Sequence, residues 1–305
     1  MSTVRSYLSL IKFSHTIFAM PFALIGFFLG LFHRYFGSIP FDAALPDEGR
    51  MSDLFSRSTL VLFFLVIGCM ITARTAAMAF NRYLDRSIDA LNPRTAIREI
   101  PKGIIRPKQA LLFTFVNALL FIGLTWFINP LCFYLSPVAL LVILGYSYTK
   151  RFTSLCHLVL GLGLSLAPIG AYLAVTGVFN WLPILFSLTV ICWVSGFDII
   201  YSLQDDAFDR SQSLYSIPAG VGRKKALLIA RLLHVLSALF ILIAGLLAAF
   251  SWIYWVGVAG FWGMLLYQHR LVKPDDLSRV NLAFMTANGV ASVVFSLFVL
   301  IDIFF

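Results

Sequence analysis

Charge is what this 305-residue sequence has least of: Asp, Glu, Lys and Arg make up only 12% of it. A soluble domain of this length carries about twice that share. The shortage excludes a polar outer shell. With 60% hydrophobic residues and a mean hydropathy of +0.90, it marks a polytopic membrane protein embedded in the lipid bilayer. Cysteine is scarce too. Cys69, Cys132, Cys156 and Cys192 lie far apart in apolar segments without metal-ligand spacing. That excludes a disulfide framework and a zinc site and leaves small apolar packing residues. No basic, aromatic-interleaved soluble stretch is present, so the net charge of +9 is no argument for nucleic acid. A cleavable leader is not expected either, because Arg5 and Lys12 precede an apolar run without a small-residue cleavage site.

What the chain has in abundance is long apolar runs. Each run of about 20 residues is a candidate membrane helix. They fall near 14–34, 59–80, 109–128, 131–149, 154–176, 181–203, 225–249, 251–268 and 281–304, which predicts an all-α bundle of nine transmembrane helices in a single domain, 1–305. A polar loop, 37–58, separates the first two. With the N-terminus in the cytoplasm, all of the 23 Lys and Arg except Arg34, Arg50, Arg57 and Arg74 fall on the cytoplasmic side. That asymmetry predicts a multi-pass protein of the inner, cytoplasmic membrane with its N-terminus inside and its C-terminus on the opposite side.

Two polar motifs interrupt this pattern. "NRYLDRSIDALNPRTAIREIPKG", 81–103, sets Asn81, Asp85 and Asp89 four residues apart and follows them with Arg94, Arg98 and Lys102. "FDIIYSLQDDAFDRSQSLYSIPAG", 197–220, places Asp205 and Asp209 four apart, with Asp198 two turns and Tyr201 one turn before Asp205. Four predicted helices separate the motifs, and an even number of crossings returns both to one membrane face. The halves therefore read as parallel pseudo-repeats around a central chamber that opens to the cytoplasmic rim and to lipid.

A single carboxylate at a helix end is ordinarily a solvated interfacial charge. Acids stacked four apart on two helices repel one another, and a divalent cation relieves that repulsion. Magnesium takes carboxylate oxygens and shares its shell with phosphate oxygens. Arginine grips the same phosphates in bidentate fashion and lysine as a point charge. Acids and bases together at a membrane rim point to a magnesium diphosphate site.

The pair Asn81-xxx-Asp85-xxx-Asp89 and Asp205-xxx-Asp209 resembles the two signatures of the UbiA superfamily of intramembrane prenyltransferases. The likeness extends to "NPRT" at 92–95, "YSYTKR" at 146–151 and Ser216, and it is greatest toward the 4-hydroxybenzoate polyprenyltransferase branch. It implies Mg2+-dependent transfer of a polyprenyl group from a polyprenyl diphosphate to a hydroxylated aromatic acid, with release of pyrophosphate, in respiratory quinone biosynthesis. Asn81, Asp85, Asp89, Asp205 and Asp209 are then metal ligands, and Arg94, Arg98, Lys102, Lys150 and Arg151 diphosphate binders. For Lys102 and the other loop bases, positive-inside topology is an equal explanation.

Arg74 lies inside a span, two turns before Asn81, where arginine is costly and usually functional. It holds the ring carboxylate or orients Asp198. Asp198 accepts the phenol proton or assists the metal, and Tyr201 positions the pyrophosphate or the ring. His157 reads as a packing histidine, and His15 and His33 as interfacial. "REIPKG" at 98–103 departs from the usual Arg-Pro-Leu-Pro and resembles a subgroup that prenylates 1,4-dihydroxy-6-naphthoate in the futalosine route to menaquinone. Competing readings are a haem or chlorophyll prenylating enzyme, with the same site and another acceptor pocket, and a membrane transporter. Transporter sites sit near the midplane, often within inverted repeats, whereas these acids gather at one rim. No obligate protein partner is evident.

Overall fold

The computed structural model describes residues 3–12, 18–37 and 56–305. Most of the polar loop 37–58, the expected beginning of the first span, and His15 lie outside the described residues. Everything regular that is described is helical, and no strand occurs among the described residues. In chain order the helices are α1 (Thr3–Leu10), α2 (Met20–Phe36), α3 (Arg57–Leu84), α4 (Arg86–Leu91), α5 (Pro107–Trp126), α6 (Pro130–Thr149) and α7 (Cys156–Thr176). They continue as α8 (Trp181–Ser202), α9 (Asp206–Ser211), α10 (Ile217–Val221), α11 (Arg223–Leu247), α12 (Trp252–Leu271) and α13 (Asn288–Phe304), the last preceded by a π-helical turn, Leu282–Ala287.

Capping chemistry sets the ends. Asn129 accepts the Cys132 amide at 2.8 Å ahead of Pro130, Asn180 accepts the Leu182 amide at 3.1 Å, and Ser251 accepts the Ile253 amide at 3.2 Å. These are the short polar breaks between otherwise continuous apolar runs.

Seven stretches are long and apolar enough to cross a membrane: Arg57–Leu84, Pro107–Trp126, Pro130–Thr149, Cys156–Thr176, Trp181–Ser211, Arg223–Leu247 and Leu282–Phe304. The chain is a multi-pass membrane protein. The sequence reading counted nine, and the other two runs are helices as well, but of a weaker kind. α2 has only 17 residues. α12 is diluted by Trp252, Tyr254, Trp255, Trp262, Tyr267, Gln268, His269 and Arg270.

α8 is the central element, packed between α7 and α11; α2 lies on α7, α3 on α5, and α12 on α13. Two glycines permit the closest approaches. A Cβ on Gly26 of α2 would sit 2.0 Å from the Pro168 carbonyl oxygen of α7, and one on Gly161 of α7 would sit 2.6 Å from the Ile191 oxygen of α8. Phe22, Trp193, Phe261 and Phe295 interlock in the main core. The exposed Leu112, Phe115, Leu119 and Leu120 of α5 form a surface suited to lipid.

Candidate active site

Both acidic motifs sit where a long helix breaks. α3 ends at Leu84, Asp85 takes φ −86° and ψ 5°, and α4 restarts at Arg86. α8 runs into a 3-10 turn, Leu203–Asp205, where Asp205 takes φ −107° and ψ 3° before α9 begins. Both residues occupy the same sparsely populated bridge region between helix and strand. The expectation of one continuous helix face carrying Asn81, Asp85 and Asp89 is corrected here: the face bends at Asp85. The Asp89 amide still reaches the Asp85 oxygen at 2.7 Å, so the acids stay close.

Four of these carboxylates each hold one of four bases. Asp85 Oδ1 accepts from Arg151 Nη2 at 2.9 Å, and its Oδ2 accepts from Asn81 Nδ2 at 3.0 Å. Asp89 Oδ1 accepts from Arg98 Nη1 at 2.6 Å. Asp205 lies in the fork of Arg94, whose Nε donates to Oδ1 at 3.0 Å and whose Nη2 donates to Oδ2; Asn92 Nδ2 adds a second bond to Oδ1 at 3.0 Å. Lys150 Nζ lies 2.7 Å from Oδ1 of the fully buried Asp209, close but not aligned as a hydrogen bond. Burial pushes the Asp85 carboxyl above its ordinary value, with Arg151 opposing. Burial works to lower the Lys150 ammonium, yet Asp209 leaves it raised.

These pairs border a cavity of about 940 Å³ that runs inward past Met70, Phe121, Leu135 and Ile169 to Ile128 and Phe179. Arg74 lines it on α3. Its Nη2 donates to the Lys12 carbonyl at 3.3 Å, its buried Nε has no hydrogen-bond partner, and no carboxylate pairs with it among the described residues. The Arg74–Asp198 bond that the sequence left open is not made. Asp198 Oδ2 bonds instead to His157 Nδ1 at 2.7 Å. The Tyr201 hydroxyl accepts from Arg94 Nη1 at 2.9 Å, and its ring stands 4.2 Å from that of Phe284. Phe284 enters from the π-helical turn, whose widened carbonyls at Ala283 and Phe284 are capped by Asn288 Nδ2 at 3.1 and 3.0 Å.

Of the expected site residues, Arg74, Asn81, Asp85, Asp89, Arg94, Arg98, Lys150, Arg151, Asp198, Tyr201, Asp205 and Asp209 all line this cavity. Lys102 does not. It stands exposed in the turn beyond Arg98, outside the lining. Sequence reasoning passed over Asn92, Arg82, Tyr146 and Glu99 and read His157 as a packing residue; all five also line it. "NPRT" contains Asn92, and Tyr146 opens "YSYTKR", so both lay inside stretches already singled out. Asp206, next to Asp205, serves the scaffold instead: Arg223 Nε at 2.9 Å holds it against α11, and Arg210 Nη2 at 3.0 Å braces it within α9.

The residues fit a hard divalent cation. The donors are carboxylate and amide oxygens with no thiolate among them. Asp89 Oδ2 and Asp209 Oδ2 are buried without a hydrogen-bond partner, a costly state that a cation would relieve. The carboxylates are drawn onto their basic partners rather than onto one point, and no group of three His, Cys, Asp or Glu converges for a metal among the described residues.

Residues 51–290 match the UbiA prenyltransferase family. The chain is 32% identical over 241 residues to a 4-hydroxybenzoate octaprenyltransferase of Shewanella pealeana, covering 77% of this chain and 81% of that one. It is 31% identical over 248 residues to the Aeromonas salmonicida enzyme of the same name, covering 81% and 83%. Among solved structures, a UbiA homolog from Aeropyrum pernix superposes with a TM-score of 0.78 at 28% identity over 94% of this chain and 98% of that one. The fold is also that of a UbiA homolog from Archaeoglobus fulgidus bound to GPP and Mg2+, with a TM-score of 0.71, 19% identity and 98% and 99% coverage. With the family matched over most of its length and its signature residues gathered at one cavity, the chain belongs to the UbiA prenyltransferase family and is a membrane-embedded transferase.

Proposed function

We propose that this enzyme transfers a polyprenyl group from a polyprenyl diphosphate to a 4-hydroxybenzoate-type aromatic acid in respiratory quinone biosynthesis. The observation that carries the reading is the cavity itself: four carboxylate–base pairs at one end, a mainly apolar wall, and a guanidinium, Arg74, without a carboxylate partner among the described residues. The names of the relatives support the acceptor. In this reading the chain is one domain of nine membrane crossings, α2 and α12 included. Its N-terminus is cytoplasmic, its C-terminus lies on the far side of the inner membrane, and the chamber opens to the cytoplasmic rim and to lipid.

Asn81, Asp85, Asp89, Asp205 and Asp209 hold Mg2+, which when bound screens the diphosphate and stabilises it as a leaving group. Arg94, Arg98, Lys150 and Arg151 turn from their carboxylates to the diphosphate oxygens, so charge that develops there meets preorganised donors. The allylic C–O bond breaks and its electron pair leaves with the diphosphate. The apolar wall keeps water from the allylic cation. Arg74 holds the acceptor carboxylate, the ring carbon donates a π pair to form the new C–C bond, and the ring then loses one proton.

The test offers purified protein a long polyprenyl diphosphate with 4-hydroxybenzoate or with 1,4-dihydroxy-6-naphthoate, and follows pyrophosphate release and prenylated product. Turnover with the benzoate is expected. Turnover with the naphthoate alone would move the enzyme to the futalosine route to which "REIPKG" is similar. Absence of pyrophosphate release with any aromatic acceptor would leave a transporter as the better reading.

A further inference from the structure

The turn ahead of α13, Leu282–Ala287, is wound as a π-helix. Such turns are rare inside α-helices and gather at functional sites. Two buried side chains hold this one. Asn288 donates its amide nitrogen to the Ala283 and Phe284 carbonyls at 3.1 and 3.0 Å, and Gln268 Nε2 reaches the Ala283 carbonyl at 3.3 Å. The Asn288 amide oxygen accepts from Trp193 Nε1, on α8, at 3.0 Å. Packing against Trp193 alone would need only that oxygen; the nitrogen serves the π-turn.

About two turns further along α8 is Tyr201, and there the π-turn meets the same helix again. The Phe284 ring lies 4.2 Å from the Tyr201 ring, and Phe197 and Phe18 pack edge-on to Phe284 at 5.5 and 5.3 Å. All four rings line the cavity. The Tyr201 hydroxyl accepts from Arg94 Nη1 at 2.9 Å, and Arg94 is the fork that holds Asp205. Trp193, Asn288, Phe284 and Tyr201 thus form a closed loop of contacts on one face of α8.

Tyr201 is only half-buried beside an open cavity, so the aim of its hydroxyl depends on what fixes its ring. Phe284 does so only from its place in the π-turn. Rewinding that turn as an α-helix would rotate its two sides relative to one another by about 100°. We propose that Asn288 is a positioning residue of the active site: it holds the π-turn so that Phe284 fixes the Tyr201 ring and keeps the Tyr201 hydroxyl on Arg94. The kinetic consequence rests on the prenyl-transfer reading above. There Arg94 meets the diphosphate, and its bond to Tyr201 keeps the guanidinium preorganised. The acceptor, assigned to Arg74, is not served by these contacts.

A double-mutant cycle separates positioning through Tyr201 from ordinary packing. Asn288→Leu is expected to lose about tenfold in kcat/KM for the prenyl diphosphate, with KM for the aromatic acid within about twofold. Tyr201→Phe should lose a similar amount, and adding Asn288→Leu to it should cost less than about twofold more. Phe284→Leu, one contact further along, should follow the same cycle, and Asn288→Ala replaces Asn288→Leu if the larger side chain prevents folding. Losses that multiply would overturn the proposal. So would an Asn288→Leu or Tyr201→Phe enzyme as active as wild type, or equal damage to both substrates. A wild type without turnover would instead sink the prenyl-transfer reading, and a second measurement then decides the positioning alone. Fluorotyrosine incorporated in place of Tyr201 gives a fluorine NMR signal that needs no turnover. It should move in Asn288→Leu and Asn288→Ala; a signal unmoved in the folded variants would equally overturn the proposal.

Discussion

Arg94 closes both of its fork arms on Asp205 and spends its remaining nitrogen on the Tyr201 hydroxyl, so one guanidinium joins the loop after α4 to the end of α8. A lysine there keeps the charge but cannot make three directed bonds. Arg94→Lys is therefore expected to lose about 1.5–3 kcal/mol of transition-state stabilisation, roughly one to two decades in kcat/KM. Steady-state kinetics against polyprenyl diphosphate measures it. A variant within a factor of two of wild type would remove Arg94 from the diphosphate site.

Asp85→Ala and Asp209→Ala should each abolish turnover without preventing membrane insertion, because Asp85 sits at a helix break and Asp209 in the short helix α9 that follows one. Asp209→Asn is the milder companion, since alanine leaves Lys150 without its buried partner. Size-exclusion profiles in detergent report the fold, and pyrophosphate release the chemistry. A folded alanine variant near wild-type activity would exclude that residue from the metal set.

Chelation by EDTA should stop turnover, and magnesium should restore it better than zinc, because the donor set is carboxylate and amide oxygen. Undiminished pyrophosphate release in excess chelator would show that the bases alone carry the leaving group.

The apolar runs made the helices legible. α6 and α8 were expected at 131–149 and 181–203 and lie at Pro130–Thr149 and Trp181–Ser202, because an Asn cap bounds each apolar run. The breaks at Asp85 and Asp205 were not legible. No Pro or Gly marks either, and what stabilises them is distant in sequence: Arg151 for one, Asn92 and Arg94 for the other. The partner of His157 was hidden for the same reason, lying 41 residues away. The available signal was that both His157 and Asp198 are polar groups within consecutive apolar spans, where each needs a partner. Lys102 shows the converse limit: a basic loop residue outside the cavity looks the same in sequence as one that lines it.

Arg74→Leu is expected to raise KM for the aromatic acid by one to two decades, corresponding to about 1.5–3 kcal/mol for a lost charge-assisted contact, while KM for the prenyl diphosphate stays within about twofold. Arg74→Lys should recover only part of this, lacking the planar fork. The absence of any carboxylate paired with Arg74 among the described residues favours this split. Equal damage to both substrates and to kcat would assign Arg74 to the scaffold instead.

Three of the four carboxylate–base pairs join segments far apart in the chain: Asp85 to Arg151, Lys150 to Asp209, and Arg94 to Asp205, the last across 111 residues. Chains are made from the N-terminus, so Arg94 leaves the ribosome long before Asp205 exists. A nascent chain arrested short of the second motif holds its first-motif loop with that fork empty and open to protease. The same loop should become resistant once the segment carrying Asp205 and Asp209 has emerged and inserted. The paired site is thus absent until the second motif has been made, and a chain arrested before Asp205 lacks it.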